Sequence, residues 1–229
     1  MSISLAHDPE LKNLRAFDKV FSIDFSGQAF TLETQTSTPT RTVMPFCLQC
    51  GSKAELKVPA DDNRERIVCP NCNYIHYQNP NLVCGAVVTS GTKVLLCKRA
   101  IEPRAGFWTL PAGFMELGET LEQAAARETL EEAEATVTDL KPYCTYSVPH
   151  AGQVHMLFLG ELQGSFGAGP ESLECGLFEE HEIPWHELAF TNIRMTLEHF
   201  YSDRKNGHFP SRVEVIDLRV DTKKEGHSK

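Results

Sequence analysis

Residues 113–135 read GFMELGETLEQAAARETLEEAEA, and this stretch decides the fold. Thr120 followed by Gln123 is a capping box, which predicts a helix starting near residue 120. Gly118 marks the tight approach to that start. Inside the helix Glu128, Glu131 and Glu132 stand at i, i+3 and i+4, neighbours on one surface. At about 100° per residue, Leu121, Glu128 and Glu132 fall within roughly 20° of one line, with Ala124, Ala125 and Ala135 close by. The acids therefore share a side with the apolar residues, where a solvated face would set them opposite.

That placement needs a counter-charge. Two carboxylates about 4 Å apart repel by roughly 4 kcal/mol near a protein surface. A hard divalent cation removes the repulsion, and Mg²⁺ favours one or two carboxylates together with waters and substrate phosphates. The alternative is an Ala- and Glu-rich surface helix whose acids pair with Arg127 or face water.

Gly113, five residues, Glu119, seven residues, Arg127-Glu128, two residues and Glu131-Glu132 resemble the Nudix box of the Nudix hydrolases. The preceding run FWTLPAGFMELGE, with Pro111, is similar to the strand and loop that lead into that box. Two positions depart from it: Thr129 stands where the pattern has an aliphatic residue, and Glu134 replaces a glycine. Neither binds metal in the family, so packing is in question there more than chemistry. The resemblance implies an α-β-α sandwich around a mixed sheet, of the α/β or α+β class. It implies Mg²⁺ or Mn²⁺ held by Glu128 and Glu132, with Glu131 adding a ligand or helping to activate water. It further implies that the Gly113 carbonyl supplies one more oxygen and that Arg127 and Glu119 orient loop and helix. A general base from a later loop is also a family trait; Glu174 is the first candidate and Glu171 the second, each of which could equally be a solvated carboxylate.

Eight cysteines raise the question of disulfides, but their spacing points elsewhere. Cys47-Leu-Gln-Cys50 and Cys69-Pro-Asn-Cys72 are two C-x-x-C knuckles at a separation that fits a zinc site. Four thiolates close such a site tetrahedrally, which makes it structural, and the metal folds the ribbon. A redox pair is the alternative. Cys84, Cys97, Cys144 and Cys175 lie in or near apolar runs and read as small buried hydrophobes.

The 229 residues suit one domain plus a small appendage, and 41% hydrophobic content supports a packed core. A formal charge of −9 argues against a broad nucleic-acid or membrane footprint. No apolar run approaches the ~20 residues of a membrane span, and the start lacks a signal-peptide core. The expectation is a cytoplasmic protein. The expected divisions are an N-terminal arm (1–44), the ribbon (45–78), the catalytic domain (79–222) and a tail (223–229). Leu11, Leu14, Phe17 and Phe21 predict a short helix in the arm, before a Ser/Thr-rich linker. Strands are expected at LVCGAVV and KVLLC around a Ser90-Gly91 turn, then at FWTLP, CTYSV, VHMLFLGEL and RVEVIDL. A second helix is expected from Asn192 to about Ser202, capped by Thr191.

The resemblance also covers the ribbon and the segment ESLECGLFEEHEIPW, and is most like zinc-ribbon FAD and ADP-ribose pyrophosphatases of plant plastid type and their bacterial relatives. The ribbon-bearing NADH pyrophosphatases add a Ser-Gln-Pro-Trp-Pro-Phe array after the box, which YCTYSVPHAGQVHM lacks. The implied substrate is a nucleoside diphosphate linked to another group, FAD or ADP-ribose ahead of NADH or an NAD cap; family precedent implies a homodimer. The rival from another class is a nucleotide sensor whose ribbon binds a partner. For substrate contacts Arg104 could meet a phosphate, and Phe107, Trp108, Phe114, Tyr143 and Tyr146 could stack on a base, at most two of them doing so. Phe107 and Trp108 are adjacent in an expected strand and so point opposite ways. Trp185 and Phe200 read as packing.

Overall fold

A computed structural model describes residues 20–23, 29–32 and 46–216. In the arm, β1 (Val20–Ile23) pairs antiparallel with β2 (Ala29–Leu32). Phe21 therefore lies in a strand, a correction to the expected helix, and the Val20, Phe21 and Ile23 run favours extended backbone. Leu11, Leu14 and Phe17 lie outside the described residues, as does the expected tail.

The ribbon is a three-stranded antiparallel sheet of β3 (Glu55–Lys57), β4 (Arg66–Val68) and β5 (Ile75–His76). Each C-x-x-C knuckle closes in the same way. Gly51 N–H donates to Cys47 O at 2.9 Å, and Asn73 N–H donates to Cys69 O at 2.9 Å.

The second domain is built on a mixed eight-stranded sheet. Its strands are β6 (Asn81–Ser90), β7 (Lys93–Arg99), β8 (Trp108–Thr109), β9 (Ala112–Phe114), β10 (Thr136–Val148), β11 (Gln153–Gln163), β12 (Ser172–Phe178) and β13 (Arg212–Val215). The path is β12-β7-β6-β11-β10-β13, with β8 added to β7 and β9 to β6. The β6–β7 hairpin turns through Gly91 and Thr92 as expected, with Ser90 opposite Lys93. β11 runs parallel to β6 and β13 runs parallel to β10, while the other pairs are antiparallel.

Alternation along the central strands builds two cores. Ala86, Val88, Leu95 and Cys97 pack with Ala124, Ala125 and Ala133 of α1 (Leu121–Ala133). Val87, Leu96, Tyr143, Tyr146 and Leu157 pack with Ile193, Leu197 and Phe200 of α2 (Thr191–Asn206). The helices thus cover opposite faces, which is the sandwich the box implied. Cys84, Cys97 and Cys144 are buried and Cys175 is half-buried, in keeping with their reading as hydrophobes.

Three elements differ from expectation. FWTLP gives only the two-residue β8, because Pro111 cannot donate and the chain crosses from β7 to pair with β6 through β9. SLECGLF forms β12, although weak alternation and Gly176 gave it no strand signature. Thr191 is the first residue of α2; the N-cap is Phe190, which offers no side-chain cap, and the helix runs four residues past Ser202 to Asn206.

Candidate active site

α1 begins as the sequence requires. Gln123 N–H donates to Thr120 Oγ1 at 3.2 Å and Thr120 N–H donates to Gln123 Oε1 at 2.8 Å, the reciprocal pair of a capping box. Two to three turns on, Glu128 and Glu132 are buried at 9% and 7% exposure, among alanines. Glu131, on the flank, keeps its side chain 57% exposed. Glu128 and Glu132 do share the buried face, and Glu131 does not.

What lets them in is the strand opposite. A Cβ on Gly113 would lie 2.3–2.4 Å from the Glu128 carboxylate, so only glycine leaves room for it. Glu132 Oε2 accepts from the Ala112 N–H at 3.0 Å, which ties the helix to β9 a residue earlier. Burial pushes the Glu132 carboxyl up to about 7; the Ala112 N–H opposes this and the Glu128 charge adds to it. Burial also raises Glu128, against the pull of Arg127.

Arg127 gathers the rest. Its Nε and Nη2 form a two-pronged pair with Glu119 at 2.6 and 3.1 Å, and Nη2 also donates to Phe114 O at 3.0 Å. Nη1 donates to Glu128 Oε1 at 2.7 Å and to Glu131 Oε2 at 2.9 Å. Glu119 is held below the usual carboxylate range by Arg127, helped by the Glu116 N–H. The two positions that departed from the box have local explanations. Thr129 is fully buried because its hydroxyl donates back to Ala125 O at 2.8 Å. Glu134 takes the left-handed conformation, φ 46°, in which a glycine is the unstrained choice.

The loop after β11 docks on the end of α1. Gly167 N–H donates to Ala133 O at 2.8 Å and Gly169 N–H to Glu132 O at 3.1 Å. The approach is so close that a Cβ on Gly169 would fall 1.8 Å from Glu131 O. This loop delivers Glu171 to the same cavity as the acids, about 860 Å³ in volume, whose walls also include Gly113, Arg127, Arg99 and Arg104. Glu174 does not line it. It lies exposed in β12, opposite Lys98, because Ser172–Phe178 is strand rather than loop.

Of the expected substrate contacts, Arg104 and Phe114 line the cavity and Trp108 does not. Trp108 is buried against Phe178, ring centroids 4.9 Å apart, while Phe107 turns the other way under Arg104. Tyr143 and Tyr146 are fully buried, with hydroxyls bonded to Asp203 and Thr196, so neither can stack on a ligand. Sequence reasoning missed Arg99, Gln153, His155 and Asn192, all on the cavity wall. The available signal was a polar residue inside or at the end of an apolar run, as in KVLLCKR and VHMLFL.

The cysteine knuckles meet. Cys47 Sγ lies 3.6 Å from Cys72 Sγ, Cys50 Sγ lies 3.5 Å from Cys69 Sγ, and all four sulfurs fall within 4.8 Å of one another. A tetrahedron with Zn–S of ~2.3 Å has edges of ~3.8 Å, so the unpaired thiols fit zinc. Among the described residues these cysteines are the set already gathered at metal-ligand spacing; the carboxylates are instead spread around Arg127. Among the described residues no helix is long and apolar enough to cross a membrane.

Comparison with known proteins bears on both regions. Residues 45–78 match the Nudix N-terminal zinc-ribbon family and residues 80–203 match the NUDIX domain family. A Nudix hydrolase of known crystal structure from Nitrosomonas europaea is 49% identical, with a TM-score of 0.73 over 76% of this chain and 99% of that one. The NAD-capped RNA hydrolase NudC of Vibrio vulnificus is 33% identical over 70% of this chain and 62% of its own length. The human mitochondrial NAD(P)H pyrophosphatase NUDT13 is 26% identical over 72% of this chain and 45% of its own. The chain spans about half the length of the curated relatives it matches. With more than half its length in the one domain and a ribbon before it, the chain belongs to the Nudix family, in the group that carries an N-terminal zinc ribbon.

Proposed function

We propose that the protein is a Mg²⁺- or Mn²⁺-dependent pyrophosphohydrolase that cleaves the diphosphate of a nucleoside diphosphate linked to a second group. The observation that carries this is the pair of buried carboxylates, Glu128 and Glu132, set against a backbone that has no side chain at Gly113. Buried acids beside one another, with raised affinity for protons, are the donor set a hard cation stabilises. Glu128, Glu131, Glu132 and the Gly113 carbonyl would hold the ion. When bound, it neutralises the diphosphate and lowers the pKa of a coordinated water.

The chain's own residues do the rest. Arg127 braces the β9 loop to the helix through Phe114 O and Glu119, so the ligand carboxylates and the Gly113 carbonyl move as one unit. Arg99 and Arg104, on the same cavity, are placed to orient phosphate oxygens. The general base is Glu171 in place of Glu174, because Glu171 faces the acids and Glu174 does not.

For the substrate, the missing array after the box favours FAD, giving AMP and FMN, or ADP-ribose, giving AMP and ribose 5-phosphate. The names of the ribbon-bearing relatives favour NADH or an NAD cap instead, so RNA carrying such a cap belongs among the candidates. A homodimer in the cytoplasm, with zinc in the ribbon, completes the proposal. The test is chromatographic: products from FAD, ADP-ribose, NADH and NAD-capped RNA are followed with Mg²⁺ or Mn²⁺. A much higher rate from one of them identifies it, read as AMP from FAD, ADP-ribose or NADH and as nicotinamide mononucleotide with 5′-monophosphate RNA from the capped RNA. Glu131→Gln should lower kcat by about 10²-fold or more. A slight fall with ligand affinity intact removes the catalytic assignment, and binding without hydrolysis of any compound favours a sensor.

A further inference from the structure

Away from the acids, three polar side chains on the cavity wall are joined in a relay. Asn192 Nδ2 donates to His155 Nδ1 at 2.9 Å, and His155 Nε2 donates to Gln153 Oε1 at 2.8 Å. The two bonds define one tautomer: an amide N–H meets only an unprotonated ring nitrogen, so the ring proton sits on Nε2. A second proton on Nδ1 would set donor against donor. Burial also holds the His155 pKa below its ordinary value, in keeping with that arrangement.

The relay is built in rather than incidental. Asn192 is 5% exposed and sits at the start of α2, while Gln153 and His155 alternate along β11 onto one face. Pairing places His155 beside Val83 and Val83 beside Phe114, a row across three strands that faces the cavity. Two strand spacings, about 10 Å, separate His155 from the β9 backbone next to Gly113. Two groups of the relay have no partner among the described residues: the Asn192 Oδ1 acceptor and the Gln153 Nε2 donor. Nearby, His150 Nδ1 is shut off from solvent and also lacks a partner among the described residues.

We propose that Asn192, His155 and Gln153 read the nucleobase, and that they select a purine carrying an exocyclic amine, adenine, over its oxo counterpart hypoxanthine. The amine donates to Asn192 Oδ1 and a ring nitrogen accepts from Gln153 Nε2. His155 fixes the direction of both amides. An oxo group would face the Asn192 carbonyl, acceptor against acceptor, and a buried polar mismatch of this kind discriminates far better than a missing methylene. Val83 and Phe114 supply the apolar surface beside the base. This inference rests on reading the cavity as a nucleotide site.

Binding of the nucleoside monophosphates tests it without turnover. Calorimetry on the full chain should give AMP a Kd about tenfold or more below that of IMP. Asn192→Ala or Gln153→Ala should bring the two within about twofold by weakening AMP. Should Asn192→Ala fail to fold by circular dichroism, Gln153→Ala carries the test, since its side chain is only half-buried. ¹⁵N NMR should show the His155 proton on Nε2. Equal affinity for AMP and IMP in the wild type overturns the inference, as does a preference that survives both substitutions or a ring protonated on Nδ1. Relay-dependent binding of nicotinamide mononucleotide or FMN with no preference for AMP also overturns it. AMP selection with no dinucleotide hydrolysed would leave the base reader standing and remove the hydrolase; hydrolysis with no base selection would do the reverse.

Discussion

At Gly113 one absent carbon makes room for a carboxylate. The Glu128 carboxylate occupies the space a Cβ would need, so Gly113→Ala must push the acid aside or shift β9. We expect Gly113→Ala to fold but to lose about 10²-fold in kcat/KM, with weakened Mn²⁺ binding by electron paramagnetic resonance. Unchanged Mn²⁺ affinity would show that Glu128 does not hold the ion. Glu132 gives a second prediction through its pKa. In the folded, metal-free chain burial raises this carboxyl from 4.5 to about 7. Folding therefore takes up a proton between those values, and the stability that goes with it is present below 4.5 and lost as pH rises through 7. The Tm of metal-free protein should fall between about pH 5 and pH 8 more than that of Glu132→Gln. Added Mg²⁺ should raise Tm more at the higher pH, where no proton competes. Identical pH slopes for both proteins would remove the claim.

The helix α1 shows how end chemistry sets an element's limits. Its start is a complete capping box, so Thr120→Ala should cost about 1 kcal/mol, a Tm loss of about 2–4 °C. Its end is strained, because Glu134 holds the left-handed conformation without being glycine. Glu134→Gly should raise Tm by about 2–4 °C, corresponding to about 1 kcal/mol of relieved strain. A fall in Tm would mean that contact of the Glu134 side chain with the Gly167 loop outweighs the strain. The start of α1 was legible because a capping box is a local pattern. The start of α2 was displaced by one residue because Phe190 caps without a side chain, so no local signal marked it. Strand β12 went unread for a similar reason: it is an edge strand whose pairing with β7, Cys175 opposite Cys97, is made across 78 positions of chain.

For the molecule as a whole, the two proposed metal sites should respond separately to chelation. The ribbon has three short strands and little buried apolar surface, so a metal on its four cysteines is what we expect to hold it together. The second domain has its own cores on both sheet faces. A zinc chelator should therefore abolish hydrogen-exchange protection over residues 46–78 while β6, β7, β10 and β11 stay protected. Loss of protection in both together would show that the ribbon supports the sheet. The cavity also belongs to this level. Its walls come from β6, the end of β7 and the loop after it, β9, the turn between β10 and β11, β11, α1, the start of α2 and the loop before β12, none of which forms a pocket alone.

From sequence alone came what rests on fixed spacing: the acids on one helical ridge, the cysteine knuckles and the hairpin at Ser90-Gly91; the family resemblance added the glycine at the site and the helix-sheet-helix sandwich. Such features repeat with the period of a helix or strand, or with the reach of a metal, so a linear string carries them. Tertiary structure alone decided which aromatics are core, that Glu171 and not Glu174 meets the acids, and that Asn192, His155 and Gln153 stand together. These depend on which strands become neighbours and on the face each residue takes, and a one-residue change of register reverses every such assignment.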